Sequence, residues 1–496
     1  MKKFLKHKFI LLLTLGTLVT SCEDYLEREP LGRFTEDTYP EGGGLSNFVF
    51  GMYSDLRAFN LHTFAFVGIT SIRSDDADKG STPADGAAQK EMDDFTLLPT
   101  NGLVSGFYRA HYETIAQANL VLQLAEELRD ELDEQEYNTS RAEAHFIRGY
   151  LYFNLVRSFG GVPKIVNVID VDDDFVTPRS SEAEIYQLIE EDLLEAIANL
   201  PVSWDEFFMG RVTKSAAEGM LAKVYLYQKR WGEALPLAQS VIASGLHDLN
   251  TSYDQIFTED GENNSGSIFE VQALRNADFQ TNDFGSQYGQ VQGVRGSGEW
   301  NLGWGFNSPS QNLVDAYEDG DPRRDATILF AGETTPYGET VPDDLPNPRY
   351  NQKVYTDPAF RLAANAQAGV WVNIRLLRYA DVVLMAAEAA NELGQTGEAL
   401  EKLEWIRARA RGTADILPEV TTTDKDELRL AIQHERRIEL AMEHERFFDL
   451  VRWGIAREVL HAAGKTNYTV GKHELLPIPQ GEIDLSGNVL MQNPGY

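Results

Sequence analysis

The 496-residue chain has a single cysteine, Cys22, so it can form no internal disulfide and offers no Cys-ligated zinc site. Long apolar runs are equally scarce. Phe9–Leu15 is too short to span a bilayer, and no second such run follows, so the chain beyond Cys22 reads as water-soluble. Basic residues are few: 44 Lys and Arg face 77 Asp and Glu, a net charge of −33. Losing residues 1–21 would remove four lysines and no acid, taking it to −37. That charge repels nucleic acid and anionic lipid, and it excludes nucleic acid as a partner.

Catalytic templates are absent too. His434-Glu435 and His444-Glu445 open like a metalloprotease helix, but Ile438 and Phe448 stand where the second histidine is needed. Gly464-Lys465-Thr466 ends like a phosphate loop, yet Val459 holds the upstream glycine position. No G-x-S-x-G elbow and no G-x-G-x-x-G fingerprint occurs. The reading is of a non-enzyme with no catalytic residue, no cofactor and no metal site. Asp76 with Asp78, and Asp260 with Glu262 and Asn263, have oxygen-rich spacing but complete no calcium loop and read as solvated turns.

What is present begins at the N-terminus. Lys2, Lys3, Lys6 and Lys8 form a basic head before the apolar stretch, and Leu18-Val19-Thr20-Ser21-Cys22 reads as a lipoprotein cleavage box. Residues 1–21 are then a signal peptide, and acylated Cys22 is the anchor of a single domain over 22–496. Each buried CH₂ is worth about 0.8 kcal/mol, so several acyl chains hold a protein where one does not.

Apolar residues recur at helical spacing, and period-two alternation is rare, so the fold class is all-α. Helices are expected near 105–130, 139–158, 181–200, 213–229, 374–393, 396–411, 425–443 and 446–462, with another starting near Trp231. Ala144, Ile147, Leu151 and Leu155 mark one stripe; Gly160-Gly161 and Pro163 stop it. Gly232-Glu233-Ala234-Leu235 repeats as Gly397-Glu398-Ala399-Leu400, with Ala222 and Ala387 twelve residues before each alanine and Ala238 and Leu403 four after. That pattern resembles tetratricopeptide helix pairs, so the scaffold, about 40–245 and 371–463, is an irregular helical repeat. Between its halves, about 246–370 is rich in Gly, Asn, Asp, Ser and Pro and reads as a loop-rich insertion; 72–102 is a second loop patch.

These residues resemble the SusD/RagB family of outer-membrane nutrient-binding lipoproteins. The likeness is carried by Ser21-Cys22-Glu23-Asp24-Tyr25-Leu26, Arg141-Ala142-Glu143-Ala144 with Arg148, Tyr150 and Tyr152, Phe159-Gly160-Gly161-Val162-Pro163, and Asp321-Pro322-Arg323-Arg324. Arg378-Tyr379-Ala380-Asp381, Glu435-Arg436-Arg437, Asp449-Leu450, Arg452-Trp453-Gly454, Leu476-Pro477-Ile478-Pro479 and Gln492-Asn493-Pro494-Gly495-Tyr496 extend it over nearly the whole chain. The resemblance implies four tetratricopeptide-like units supporting an irregular ligand-binding region. It also implies an oligosaccharide ligand, a SusC-type TonB-dependent transporter as partner, and a lipid-anchored place on the outer membrane facing the exterior. A helical-repeat scaffold for another protein, or a peptide-binding member of the same family, are the alternatives.

The dense charges from Glu435 to Arg452 read as structure, with Glu443–Arg446, Arg446–Asp449 and Asp449–Arg452 pairing along one helix face and Leu440, Phe447, Leu450 and Trp453 anchoring the other. For a ligand, flat rings on loops suit the C–H faces of sugars. Phe279, Phe284, Tyr288, Trp300, Trp304 and Phe306 lie without helical spacing, and Gln287, Arg295, Asn301 and Asn307 could bond hydroxyls. The ligand-binding candidates are Trp300 and Trp304, flanked by Gly298, Gly303 and Gly305, with Tyr288, and Arg73, Asp75 and Asp76 from the other loop patch.

Overall fold

The computed structural model describes residues 44–169, 176–275 and 284–496; the expected signal peptide (1–21), Cys22 and Phe279 lie outside them. Contacts fall into two units, Met1–Asn47 and Phe48–Tyr496, and the fold described here belongs to the second. Ten helices make its frame: α1 Gly102–Glu127, α2 Glu134–Phe159, α3 Glu182–Asn199, α4 Lys214–Tyr227, α5 Trp231–Ala243, α6 Tyr379–Glu392, α7 Thr396–Arg411, α8 Lys425–Glu439, α9 Arg446–Trp453 and α10 Ala456–Ala462. Five of the ten, α1 to α4 and α8, start at side-chain caps. Asn101 accepts from the amides of Leu103 and Val104, Asp133 from Glu136, and Ser181 and Glu184 form a reciprocal capping box. Gly160, at φ +72°, ends α2.

Each helix from α1 to α5 packs on the next, and α5 packs directly on α6 although 135 residues (244–378) separate them. The fold is therefore one all-α stack with a long insertion between two of its consecutive members. Almost every side chain of α2 from Ala142 onward is buried, so the stripe read from sequence is one side of a helix enclosed by neighbours on several faces. The repeated motif gives the same turn twice. Arg230 N–H donates to Tyr225 O at 2.9 Å and Gln395 N–H to Ala390 O at 2.8 Å, with left-handed backbone before each, φ +58° at Lys229 and +76° at Gly394.

Six short strands were missed by pattern reading: β1 Ala77–Gly80, β2 Ser267–Val271, β3 Phe306–Pro309, β4 Ile328–Phe330, β5 Arg349–Asn351 and β6 Ile374–Arg378. They pair antiparallel as β1–β3, β2–β6 and β4–β5. β2–β6 zips the insertion's entry to its exit, so 374–378 is strand and not the first turn of a helix. β1–β3 sews the 72–102 patch to the insertion. The expected helix 425–443 stops at Glu439, before left-handed Met442 and His444, and 446–462 is broken at left-handed Gly454. No helix among the described residues is long and apolar enough to cross a membrane.

Buried charge ties insertion to stack. Arg323 bonds Asp321 at 2.8 Å and Glu435 of α8 at 2.5 Å, Arg378 bonds Glu439 at 3.0 Å and Glu443 at 2.6 Å, and Lys353 bonds Glu443 at 2.6 Å. Burial alone would raise the Glu439 carboxyl, but the guanidiniums of Arg409, Arg378 and Arg323 hold it at about 2. A second chain runs through the stack: Lys223 to Asp381 at 2.8 Å, Asp381 to Arg436, Arg436 to Asp449 at 2.7 Å, Asp449 to Arg452 at 2.7 Å, and Arg452 to Glu388 at 2.5 Å. Of the three pairs expected along one helix face, only Asp449–Arg452 forms; Glu443 turns to Arg378 and Lys353, and Arg446 to Asp75.

Candidate ligand-binding site

The segment Gly293–Phe306 folds back on itself. Leu302 N–H donates to Val294 O at 3.0 Å, Gly305 N–H to Gly293 O at 3.0 Å and Trp304 N–H to Gln290 O at 2.8 Å, with a short helical turn at Gly298–Trp300 as its tip. Glycine is obligatory at several positions here. A Cβ on Gly303 would lie 2.4 Å from Gln290 O, and Gly305 has φ +70°. The close approach that glycine permits is thus to the loop's own backbone.

The tip carries its tryptophans in different directions. Trp304 meets Phe64 edge to face at 5.7 Å and Phe59 at 6.3 Å, and Phe64 meets Phe306 at 4.9 Å. Trp304 is half-buried, whereas Phe59 is 37% exposed. Trp300, also half-buried, stacks on Tyr355 at 6.2 Å and 20°, with Tyr337 a further 6.1 Å beyond Tyr355. Polar groups border the first ring cluster. Arg295 bonds Asp85 at 2.7 Å and Ser81 Oγ at 3.0 Å, all three brought together by the β1–β3 seam. Asn301 is exposed opposite Arg295, with which it forms an isolated backbone bridge.

The remaining candidates occupy other places. Tyr288 is buried, its hydroxyl hydrogen-bonded to His444 Nε2 at 2.8 Å. Arg73, Asp75 and Asp76 were read as facing the ligand; the structure buries all three. The Arg73 guanidinium lies 4.0 Å over the Phe447 ring and donates to His473 O, and burial lowers its pKa to about 10. Arg446 grips Asp75 with two bonds of 2.8 and 2.9 Å, and Arg437 bonds Asp76 at 2.8 Å. Burial would raise the Asp75 carboxyl, but Arg446 and Arg437 hold it down; burial and the neighbouring Asp75 charge win at Asp76 and raise it. Arg73 is thus engaged by the Phe447 ring and His473 O, and Asp75 and Asp76 by Arg446 and Arg437, with all three buried. Asn307 is buried against Gln292 and Gln287 bonds Gln290, so of the four hydroxyl-bonding candidates Arg295 and Asn301 stay at the rim.

Phe59 was not read from sequence as a site residue. It sits in Phe59–Thr63, a helical segment with no glycine or turn signal; the spacing of Phe59 and Phe64 was the only trace of two rings converging. Among the described residues no three His, Cys, Asp or Glu side chains gather into a metal-holding group.

A helical-repeat stack that holds an irregular, aromatic-bearing insertion by buried ion pairs defines a class of binding scaffold. The comparisons place the chain within that class: it belongs to the SusD family. The model described as "SusD family" matches residues 265–496, and that described as "Starch-binding associating with outer membrane" matches 70–226. A SusD-like protein, P2, of Formosa agariphila is 31% identical over 99% of this chain and 100% of its own length. A solved laminarin binding SusD-like protein is 30% identical with a TM-score of 0.76, covering 91% of this chain and 99% of its own. Surface glycan-binding protein A from Bacteroides fluxus is 26% identical with a TM-score of 0.76, over 94% and 100%.

Proposed function

We propose that this chain is a non-catalytic, surface-exposed glycan-binding lipoprotein, anchored through Cys22, that captures an oligosaccharide and delivers it to a SusC-type TonB-dependent transporter in the outer membrane. Family membership supports the reading, as do solved relatives whose names state laminarin and surface-glycan binding. The observation that carries it is the ring cluster of Trp304, Phe59 and Phe64, with Phe59 37% exposed, the Arg295 guanidinium 3.5 Å from the Trp304 carbonyl, and exposed Asn301 bridged to Arg295 through the backbone. A pyranose lays its C–H face on such rings, and its hydroxyls need a few placed polar groups. Trp304 and Phe59 are the proposed platform, and Trp300 a neighbouring contact.

Titration calorimetry of a neutral glucan hexasaccharide against wild type, Trp304→Ala and Phe59→Ala tests this. Affinity should fall roughly tenfold in each variant, about 1.4 kcal/mol, with unfolding temperature nearly unchanged. Equal affinities in all three proteins would discard the platform. Cys22→Ala should move the protein from the membrane to the soluble fraction; retention on the membrane would discard the anchor.

A further inference from the structure

Tyr355, Trp300's stacking partner, also lines a separate cleft of about 220 Å³. It is small against the roughly 300–1,000 Å³ of drug-sized pockets, and suits one ring rather than a chain. Phe257, Tyr337, Tyr355 and Phe360 supply its apolar walls. Asp254, Glu259, Asp260 and Asp357 supply four carboxyl groups, and no Lys, Arg or His lines it. Among the described residues none of the four forms an ion pair. Lys353 and Arg361, which flank these segments in sequence, lie behind the walls, 4.4 Å from the Phe257 ring and 5.2 Å from the Tyr355 ring, and pair with Glu443 at 2.6 Å and Glu339 at 3.0 Å.

A second observation is independent of the charges. Gln352 lines the same cleft, is 8% exposed, and its Oε1 is buried without a hydrogen-bond partner. Buried polar atoms are rarely left so. The carboxylates are felt by the walls: the Tyr337 hydroxyl is pushed up to about 12 by burial first, then by Glu259 and Asp357, with Arg361 opposing and Asp260 adding a smaller push. Carboxylates that accept hydrogen bonds but face no cation in an ion pair, beside aromatic faces and an acceptor lacking its donor, make surroundings that suit an ammonium.

We propose that this cleft binds the protonated amine of an amino-sugar residue, seated against the rings of Tyr337 and Phe360 and between the carboxylates, and so selects glycans that carry free amines over anionic ones. The proposal rests on the glycan-capture reading and adds the sugar class to it.

Calorimetry with the full chain would compare three trisaccharides: glucosamine with free amines, its N-acetylated form and a neutral glucan. At a pH where the amine is charged, the free-amine form should bind at least ~10-fold more tightly than the N-acetylated form, the advantage shrinking at high salt. The double variant Asp254→Asn/Asp260→Asn, whose sites are exposed and isosteric, should erase that advantage and leave neutral-glucan binding intact. Tyr337→Leu should reduce it as well. Equal affinity for the amine and N-acetyl forms overturns the proposal, and so does a preference that survives both variants, since the acidic surface at large would then be responsible. Neutral-glucan binding without amine preference leaves glycan capture standing and sinks the cleft alone; a free-amine preference untouched by Trp304→Ala, with no neutral binding, sinks the Trp304 platform alone; no binding of any of the three sinks both.

Discussion

Two arginines mark the difference between the molecule's interior and its rim. Arg436 is fully buried between Asp381 and Asp449, in a chain of alternating charges that joins α4, α6, α8 and α9. Arg295 is about a third exposed, shared between Asp85 and Ser81 where two loop segments meet. Both are salt-bridged, yet only the first is out of water, and burial decides what removal does: an exposed pair is worth about 0–1 kcal/mol, whereas breaking a buried one leaves an uncompensated charge. The interior is ordered by charge that cannot leave, and the rim by rings and side chains that can re-pair with something else.

Arg436→Ala should show the contrast most strongly, costing about 3–5 kcal/mol and lowering the unfolding temperature sharply by calorimetry or circular dichroism, while Arg295→Ala should change stability by less than about 1 kcal/mol. Unchanged stability in Arg436→Ala would mean that its partners find other cations. Acid should discriminate next. Burial holds His62 at about 4 and His111 and His444 at about 3, each neutral and hydrogen-bonded, as His62 is to Tyr150 at 2.7 Å. Below about pH 6.5 the unfolded chain takes up protons that these rings do not, so their contribution is present above that pH and is lost as pH falls toward 4 and then 3. For His62 the loss is on the order of 3 kcal/mol. Urea unfolding across that window would check it, and a flat profile would contradict it.

Smaller still is the rim's share. Trp304→Ala, at roughly tenfold in glycan affinity, should be nearly silent in the same urea experiment; a large stability loss would make Trp304 a core residue. The smallest effect concerns the repeated turn. Lys229 adopts the left-handed backbone that Gly394 adopts in the second copy, so Lys229→Gly should stabilise by about 0.5–1 kcal/mol and Gly394→Ala should destabilise by a similar amount. Opposite signs in thermal melts are the outcome that matters; matching signs would mean that the two turns are not equivalent.

How much of this could be read beforehand followed from how local each interaction is. Helix periodicity, caps and the Gly-Glu-Ala-Leu repeat are short-range, and the helical stack was legible from them. Ile374–Arg378 was taken for helix because its apolar residues run straight into α6; its partner, Ser267–Val271, lies more than a hundred residues earlier. Arg446 was assigned partners three residues away and instead reaches Asp75, 371 positions distant, an arrangement that no local pattern encodes. The same holds for the rim: Trp300 and Trp304 were singled out by composition, but Phe59 enters only because the chain returns to it across the β1–β3 seam.

The strand pair β2–β6 closes the insertion at its neck, and α5 and α6 meet as if nothing stood between them. The hundred or so residues beyond that neck therefore behave as an exchangeable cassette. It is keyed to the rest of the fold by buried charges, Arg323, Lys353 and Arg378 against Glu435, Glu439 and Glu443, by the β1–β3 seam, and by an apolar cluster in which Leu313, Tyr317 and Ile328 meet Ala77 and Ile438. A sister cassette that keeps those keys would change what the protein binds while the helical stack beneath it stays unaltered.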